Sequence, residues 1–123
     1  MRRVRSTDTW PELVVRRIAF SLGFRYRLHK AELPGKPDLA FPRLRKVILV
    51  NGCFWHGHHC ARGARIPREN RRYWVKKISR NVARDRANQR RLRALGWSAL
   101  VIWECQLKRL PQVAGKIHMF LKG

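Results

Sequence analysis

Eight residues, Cys53-Phe-Trp-His-Gly-His-His-Cys60, hold two cysteines, two adjacent aromatics and three histidines. Thiolate and imidazole are ligands that zinc favours, and a structural zinc site closes with four donors. His58-x-Cys60 offers two of them on one short loop. Cys105 and Asp85, far along the chain, are candidates for the other two, with Cys53 and His59 as rivals. The opposing reading is three cysteines packed as small hydrophobes. A second set suits hydrolysis of a phosphodiester, which needs a cation, an activated water and a proton carrier. Asp38 is a hard oxygen ligand suited to Mg²⁺. His56 titrates in the range that moves protons near neutrality. Glu12 can join them from a first helix. Asp38 also follows Pro37, where an ordinary turn residue would sit.

These residues must be brought together by an α/β scaffold. Lys46–Val50 is a short apolar, β-branched run stopped by Asn51-Gly52, and reads as a buried strand. Strand ends are where α/β proteins commonly place their chemistry. Phe24–Leu28 and Asp38–Phe41 read as two strands before it, joined in an antiparallel meander. Leu33-Pro34-Gly35-Lys36 fits a type II turn. Trp97–Trp103 is nearly all apolar and reads as a central strand parallel to Lys46–Val50. A helix from about Asn70 to Leu95 is long enough to make the crossover.

Two more helices complete the set. Thr9-Trp-Pro-Glu12 reads as a capping box with Pro in the first turn, opening a helix that Gly23 stops. Leu13 and Phe20 fall on its apolar side, with Arg16 and Arg17 between them. Pro111 starts a last helix from about Leu110 to Leu121. On a helical wheel Asp85 and Gln89 fall within the crossover helix's apolar stripe of Val75, Ile78, Val82 and Leu92, away from Arg80, Arg84, Arg90 and Arg91. A carboxylate on a buried face must pair with a cation. That cation is either one of the many arginines or a metal.

Composition narrows the class. The chain of 123 residues suits one domain. Twenty-nine Lys and Arg against seven acids give a net charge of +22. Such a surface calls for a polyanion, and a phosphate backbone is the usual one. The bland reading is a structural nucleic-acid binder, but five Trp suggest a packed core, a stacking surface, or both. An odd number of cysteines fits a metal site in a reducing compartment better than a disulfide framework. There is no apolar run long enough for a membrane span and no secretory signal. Residues 1–8 read as a basic arm on DNA or a frayed tail. Asp38 lacks the Glu-x-Lys that follows it in the large restriction-nuclease class, so in such a fold His56 must take the lysine's role.

Leu33-Pro-Gly-Lys-Pro-Asp38, Asn51 to Cys60, Tyr73 to Asp85, Leu95-Gly-Trp97 and Val101-Ile-Trp-Glu-Cys105 together resemble the very short patch repair endonucleases, in the same order and over nearly the whole chain. The resemblance implies a restriction-endonuclease-like mixed sheet flanked by helices, with a structural zinc. It implies Mg²⁺-dependent nicking of double-stranded DNA 5′ to the thymine of a T:G mismatch. By position, Asp38 matches the Mg²⁺ ligand, helped by the backbone carbonyl of Val50. His56 matches the catalytic histidine and Glu12 an active-site glutamate. His58, Cys60, Asp85 and Cys105 match the zinc set. Phe54, Trp55 and Trp74 match aromatics that wedge into DNA beside the mismatch, where a weakened step is cheaper to unstack.

The family usually carries Thr-His where this chain has Val50-Asn51, so an assisting histidine is replaced by an amide that cannot titrate. Relative to the family the N-terminal basic segment is short, and the chain ends soon after the last helix. The expected protein is a monomer of the bacterial cytoplasm, associated with the nucleoid, with DNA-repair proteins as possible partners. Two alternatives accompany this reading. One is a nuclease of a mobile element or restriction system that ignores mismatches. The other is a non-catalytic DNA-binding module that keeps the fold.

Overall fold

The computed structural model describes residues 9–28, 32–58, 60 and 66–123. The basic arm at 1–8 and the rival ligand His59 lie outside the described residues. Among the described residues, four strands form one sheet in chain order: β1 (Arg27–Leu28), β2 (Leu39–Phe41), β3 (Lys46–Asn51) and β4 (Ser98–Trp103). The first two pairings are antiparallel and the β3–β4 pairing is parallel, with Val47 opposite Ala99 and Asn51 opposite Trp103. The meander and the parallel return are both as the apolar runs predict.

Among the described residues, three helices cover this sheet: α1 (Trp10–Ser21), α2 (Arg71–Ala94) and α3 (Leu110–Lys122). One core joins Val15 and Ala19 of α1 and Val113 and Ile117 of α3 to Leu39, Phe41, Ile48 and Ile102 of the sheet. A smaller core on the other face joins Leu92 of α2 to Leu33, Ala40 and Val47. Side chains alternate across a strand, so Val47 and Ile48 serve opposite cores. That is why β3 must be apolar at successive positions. The result is the mixed α/β sheet flanked by helices that the sequence implies.

Three local expectations change. Only Arg27–Leu28 of the 24–28 segment pairs as strand. The residues just after the Gly23 stop (φ +90°) instead pack their rings edge-on against Phe41, Phe24 at 6.5 Å and Tyr26 at 6.4 Å between centroids. Helix α1 is also rotated from its expected face. Its buried residues are Glu12, Val15 and Ala19, while Leu13 and Phe20 are exposed. Thr9 makes no side-chain cap, and Glu12 is turned inward, where it accepts from Arg16 Nη2 at 3.3 Å. Between β4 and α3, Glu104–Lys108 forms a short 3-10 turn that the sequence pattern did not suggest. It carries Cys105 and buries Leu107.

Candidate active site

A cleft of about 430 Å³ opens where β2 and β3 meet α1 and α2. Glu12, Asp38, Val50, Asn51, His56 and Asp85 line it. The three residues singled out for hydrolysis therefore share one cavity, although they come from a helix, the approach to β2 and the loop after β3. Asp38 is fixed by its neighbour strand: its Oδ2 accepts the Val50 N–H at 2.6 Å. Pro37 just before it is fully buried. Glu12 is 4% exposed.

His56 sits on a tightly coiled loop. His56 N–H donates to Gly52 O at 3.3 Å and His58 N–H to Cys53 O at 3.0 Å. Gly57 between them has φ +62°, and a Cβ there would lie 2.9 Å from Ile78 Cγ2. Only glycine lets this loop lie so close to α2.

The loop and the helix meet in a side-chain pair. His56 Nδ1 lies 2.5 Å from Asp85 Oδ2, and each side chain is about a quarter exposed. The carboxylate on the inner face of α2 is thus satisfied by an imidazole. Among the described residues it pairs with no arginine, and the cluster that could hold a metal contains Cys53 in the place the sequence reading gave to Asp85. With Nδ1–H donated to the carboxylate, Nε2 is left as the basic nitrogen.

The cluster itself consists of Cys53, His58, Cys60 and Cys105, whose ligand atoms all lie within 4.8 Å of one another. Cys105 Sγ is 3.6 Å from His58 Nδ1, and the Cys105 N–H donates to Cys53 Sγ at 3.4 Å. The His58 ring stacks on Trp103, 4.2 Å away and tilted by 18°. Three sulfurs and one imidazole are the donor number and softness of a closed zinc site. Burial pushes the Cys53 thiol up to about 12, against a lowering pull from the Cys105 backbone N–H. A crowded, protonated thiol of this kind becomes a thiolate when a cation takes the proton's place. The donor set therefore fits zinc, with Cys53 where Asp85 was expected. The sequence held the signal: Cys53 and Cys60 flank the same loop with equal claim.

Phe54, Trp55 and Trp74 form a mutual edge-to-face cluster, with centroids 5.2 Å, 5.6 Å and 5.7 Å apart. Sequence reasoning missed the residues that extend it. Tyr73 packs on Trp74 at 5.1 Å, and Lys77 Nζ lies over the Trp55 and Tyr73 rings at 5.7 Å and 5.8 Å. Asn81 Nδ2 donates to Trp55 O at 3.0 Å, so α2 holds the loop at Trp55 as well as at His56. The spacing Tyr73, Lys77, Asn81 along one helix face is the signal that marks them.

Residues 1–62 match the family model described as DNA mismatch endonuclease Vsr. The chain is 44% identical over 121 residues to Type II nicking enzyme V.XorIIP of Xanthomonas oryzae pv. oryzae, covering 98% of this chain and 88% of that protein. It is 41% identical over 108 residues to Type II nicking enzyme V.NmeAIP of Neisseria meningitidis, covering 88% and 76%. It is 40% identical over 108 residues to DNA mismatch endonuclease Vsr of Escherichia coli K12, covering 88% and 69%.

Proposed function

The chain belongs to the Vsr family of DNA endonucleases, and on that premise we propose that it nicks duplex DNA 5′ to the thymine of a T:G mismatch, with Mg²⁺. The observation that supports this best is the shared cleft of Glu12, Asp38, His56 and Asp85, reached by a loop whose tip belongs to an aromatic cluster. Fold, charge and relatives make DNA the substrate. The cleft supplies the hydrolytic groups, and the aromatics supply a way to sense a weakened base step.

Asp38 and the Val50 carbonyl are hard oxygen donors lining the cleft, and they would hold Mg²⁺. Held there, Mg²⁺ would supply charge neutralisation at the scissile phosphate. Nε2 of His56 takes the proton of the attacking water, because Asp85 occupies Nδ1 and stabilises the imidazolium that results. Glu12, held by Arg16, orients that water. Cys53, His58, Cys60 and Cys105 would hold zinc and so fix both ends of the segment bearing Phe54, Trp55 and His56. Those aromatics would enter the mismatched step and replace the stacking it loses. The enzyme would act in the bacterial cytoplasm, where DNA-repair proteins are its possible partners.

Two labelled duplexes, identical except for T:G in place of T:A, test the reading in Mg²⁺ and in EDTA. A single nick at the thymine, confined to T:G with Mg²⁺, is the expected result. Equal cutting of both duplexes would favour a second reading, nicking without mismatch choice. V.XorIIP and V.NmeAIP, both named Type II nicking enzymes with no mismatch in the name, are what favours that reading.

A further inference from the structure

Lys36 breaks two local rules at once. Its φ is +45°, in the left-handed region that a lysine rarely adopts. It also precedes Pro37, a place that steers a residue to extended backbone. Of the three non-glycine residues with positive φ among those described, Lys36, Arg45 and Asn70, only Lys36 lines the cleft. Backbone departures of this kind cost energy and survive where the surroundings hold them in place.

The surroundings here do so from both sides. Lys36 N–H donates to Leu33 O at 3.1 Å, closing a turn with Gly35 at φ +80°. Leu33 is buried in the smaller core, and Pro37 is fully buried. Gly35 lies against α2, where an added Cβ would be 3.2 Å from Asn88 Cβ. The turn is thus anchored at Leu33, at Pro37 and on α2, and Lys36 between the anchors remains exposed.

The charge around it is one-sided. Glu12, Asp38 and Asp85 bring three carboxylates to the cleft. Among the described residues that line it, Lys36 is the sole Lys or Arg. A phosphodiester entering this space meets acids, and its charge grows as the attacking oxygen bonds to phosphorus. A fixed donor aimed at that growing charge acts where it accelerates most.

We propose that Lys36 is a catalytic residue whose ammonium contacts a non-bridging oxygen of the scissile phosphate and stabilises the charge that builds there during nicking. The anchored turn holds Lys36 at the cleft. This supplies, from the segment before Asp38, a cation that this cleft otherwise lacks among its described lining residues. The inference rests on the nicking reading above.

Single-turnover nicking of a T:G duplex by the folded, metal-loaded full chain tests it. Lys36→Gln is expected to slow the bond-breaking step by about 100-fold or more. Binding to the same duplex in EDTA should change little, since one charge among 29 is removed. Lys36→Arg should recover most of the rate, because it restores a cationic donor. Lys36→Gly removes the left-handed strain and should melt no lower than the wild type, yet nick as slowly as the Gln variant. A purely structural lysine predicts the opposite for glycine, an active enzyme. Nicking by either variant within about threefold of the wild type would overturn the proposal. So would weaker binding with an unchanged single-turnover rate. The wild type separates the two readings. If it nicks no duplex, the nicking reading fails and takes this one with it. If it nicks and Lys36→Gln nicks equally, only the role of Lys36 fails.

Discussion

His56 and Asp85, 29 residues apart in the chain, meet at 2.5 Å and tie the loop after β3 to the middle of α2. The contact fixes which imidazole nitrogen is basic. It also sets Asp85 apart from the Cys53, His58, Cys60 and Cys105 cluster. Asp85→Asn should therefore slow nicking by about 10²-fold or more, the scale of a lost acid–base contribution. Its zinc content should stay that of the wild type. Elemental analysis beside a single-turnover assay checks both, and loss of zinc in this variant would restore Asp85 as a ligand.

Cys53→Ser should behave differently. A structural zinc site contributes to folding directly. Losing one thiolate should cost about 3 kcal/mol or more, lowering Tm by roughly 10 °C in a domain of this size. Zinc content should fall below one per chain. A Cys53→Ser protein with full zinc and wild-type Tm would show that the four donors do not act as one site.

The Cys53 thiol also predicts a pH dependence for metal-free protein. Burial raises it from 9.0 to about 12, so the folded state holds the proton more tightly than the unfolded chain. This contribution is fully present below pH 9 and is lost as pH rises from there towards 12. Metal-free wild type should thus lose stability over that window more steeply than metal-free Cys53→Ala. Zinc loading runs the other way, since the ion displaces the proton, and it should weaken on acidification. Melting curves against pH, with and without zinc, read both slopes.

Gly57→Ala tests how closely the loop must lie on α2. The new methyl would meet Ile78 Cγ2 at 2.9 Å and Val82 Cγ2 at 3.0 Å, at a residue with φ +62°. A cost of about 1–3 kcal/mol is expected from the strained backbone and the clash. His56 and His58 flank the position, so nicking and zinc affinity should fall together. Urea denaturation and zinc competition against a chromophoric chelator measure the two.

Trp55→Ala addresses the aromatic cluster. Trp55 is 37% exposed, so its loss should leave the fold intact. Binding to a T:G duplex should weaken by about 1–3 kcal/mol, the worth of one base–aromatic stack. Binding to the matched duplex should change less. Equal losses on both duplexes would mean that Trp55 contacts DNA without sensing the mismatch.

Much of this architecture is legible in the chain because the signals are strong and local. Lys46–Val50 and Trp97–Trp103 are apolar on successive residues, which only a strand covered on both faces requires. The helix between them announces its length by its stop at Gly96, where φ is +86°. What failed depended on choices among equals. Leu13 and Val15 are both apolar, and tertiary packing decided that Val15 faces the core and Leu13 the solvent. Asp85 lay on the inner face as expected, but a half-buried carboxylate is satisfied as well by imidazole as by a metal. Spacing cannot tell those outcomes apart. Likewise Glu12 fits a capping box, and only the cleft explains why it turns inward.

The parallel pairing of β3 with β4 has a consequence for the order of events during synthesis. The first three strands are neighbours in the chain and can zip together as they emerge. The partner of β3 arrives only after the whole 24-residue α2 has been made. Pairings separated by so much chain form slowly. Asp85 lies on that intervening helix, and Cys105 lies just beyond β4. A nascent chain therefore holds Asp38 and His56 early, but has neither the partner of His56 nor the last donor of the cluster until α2 and then β4 have been made. The groups that complete the cleft and the cluster are therefore the last to join them.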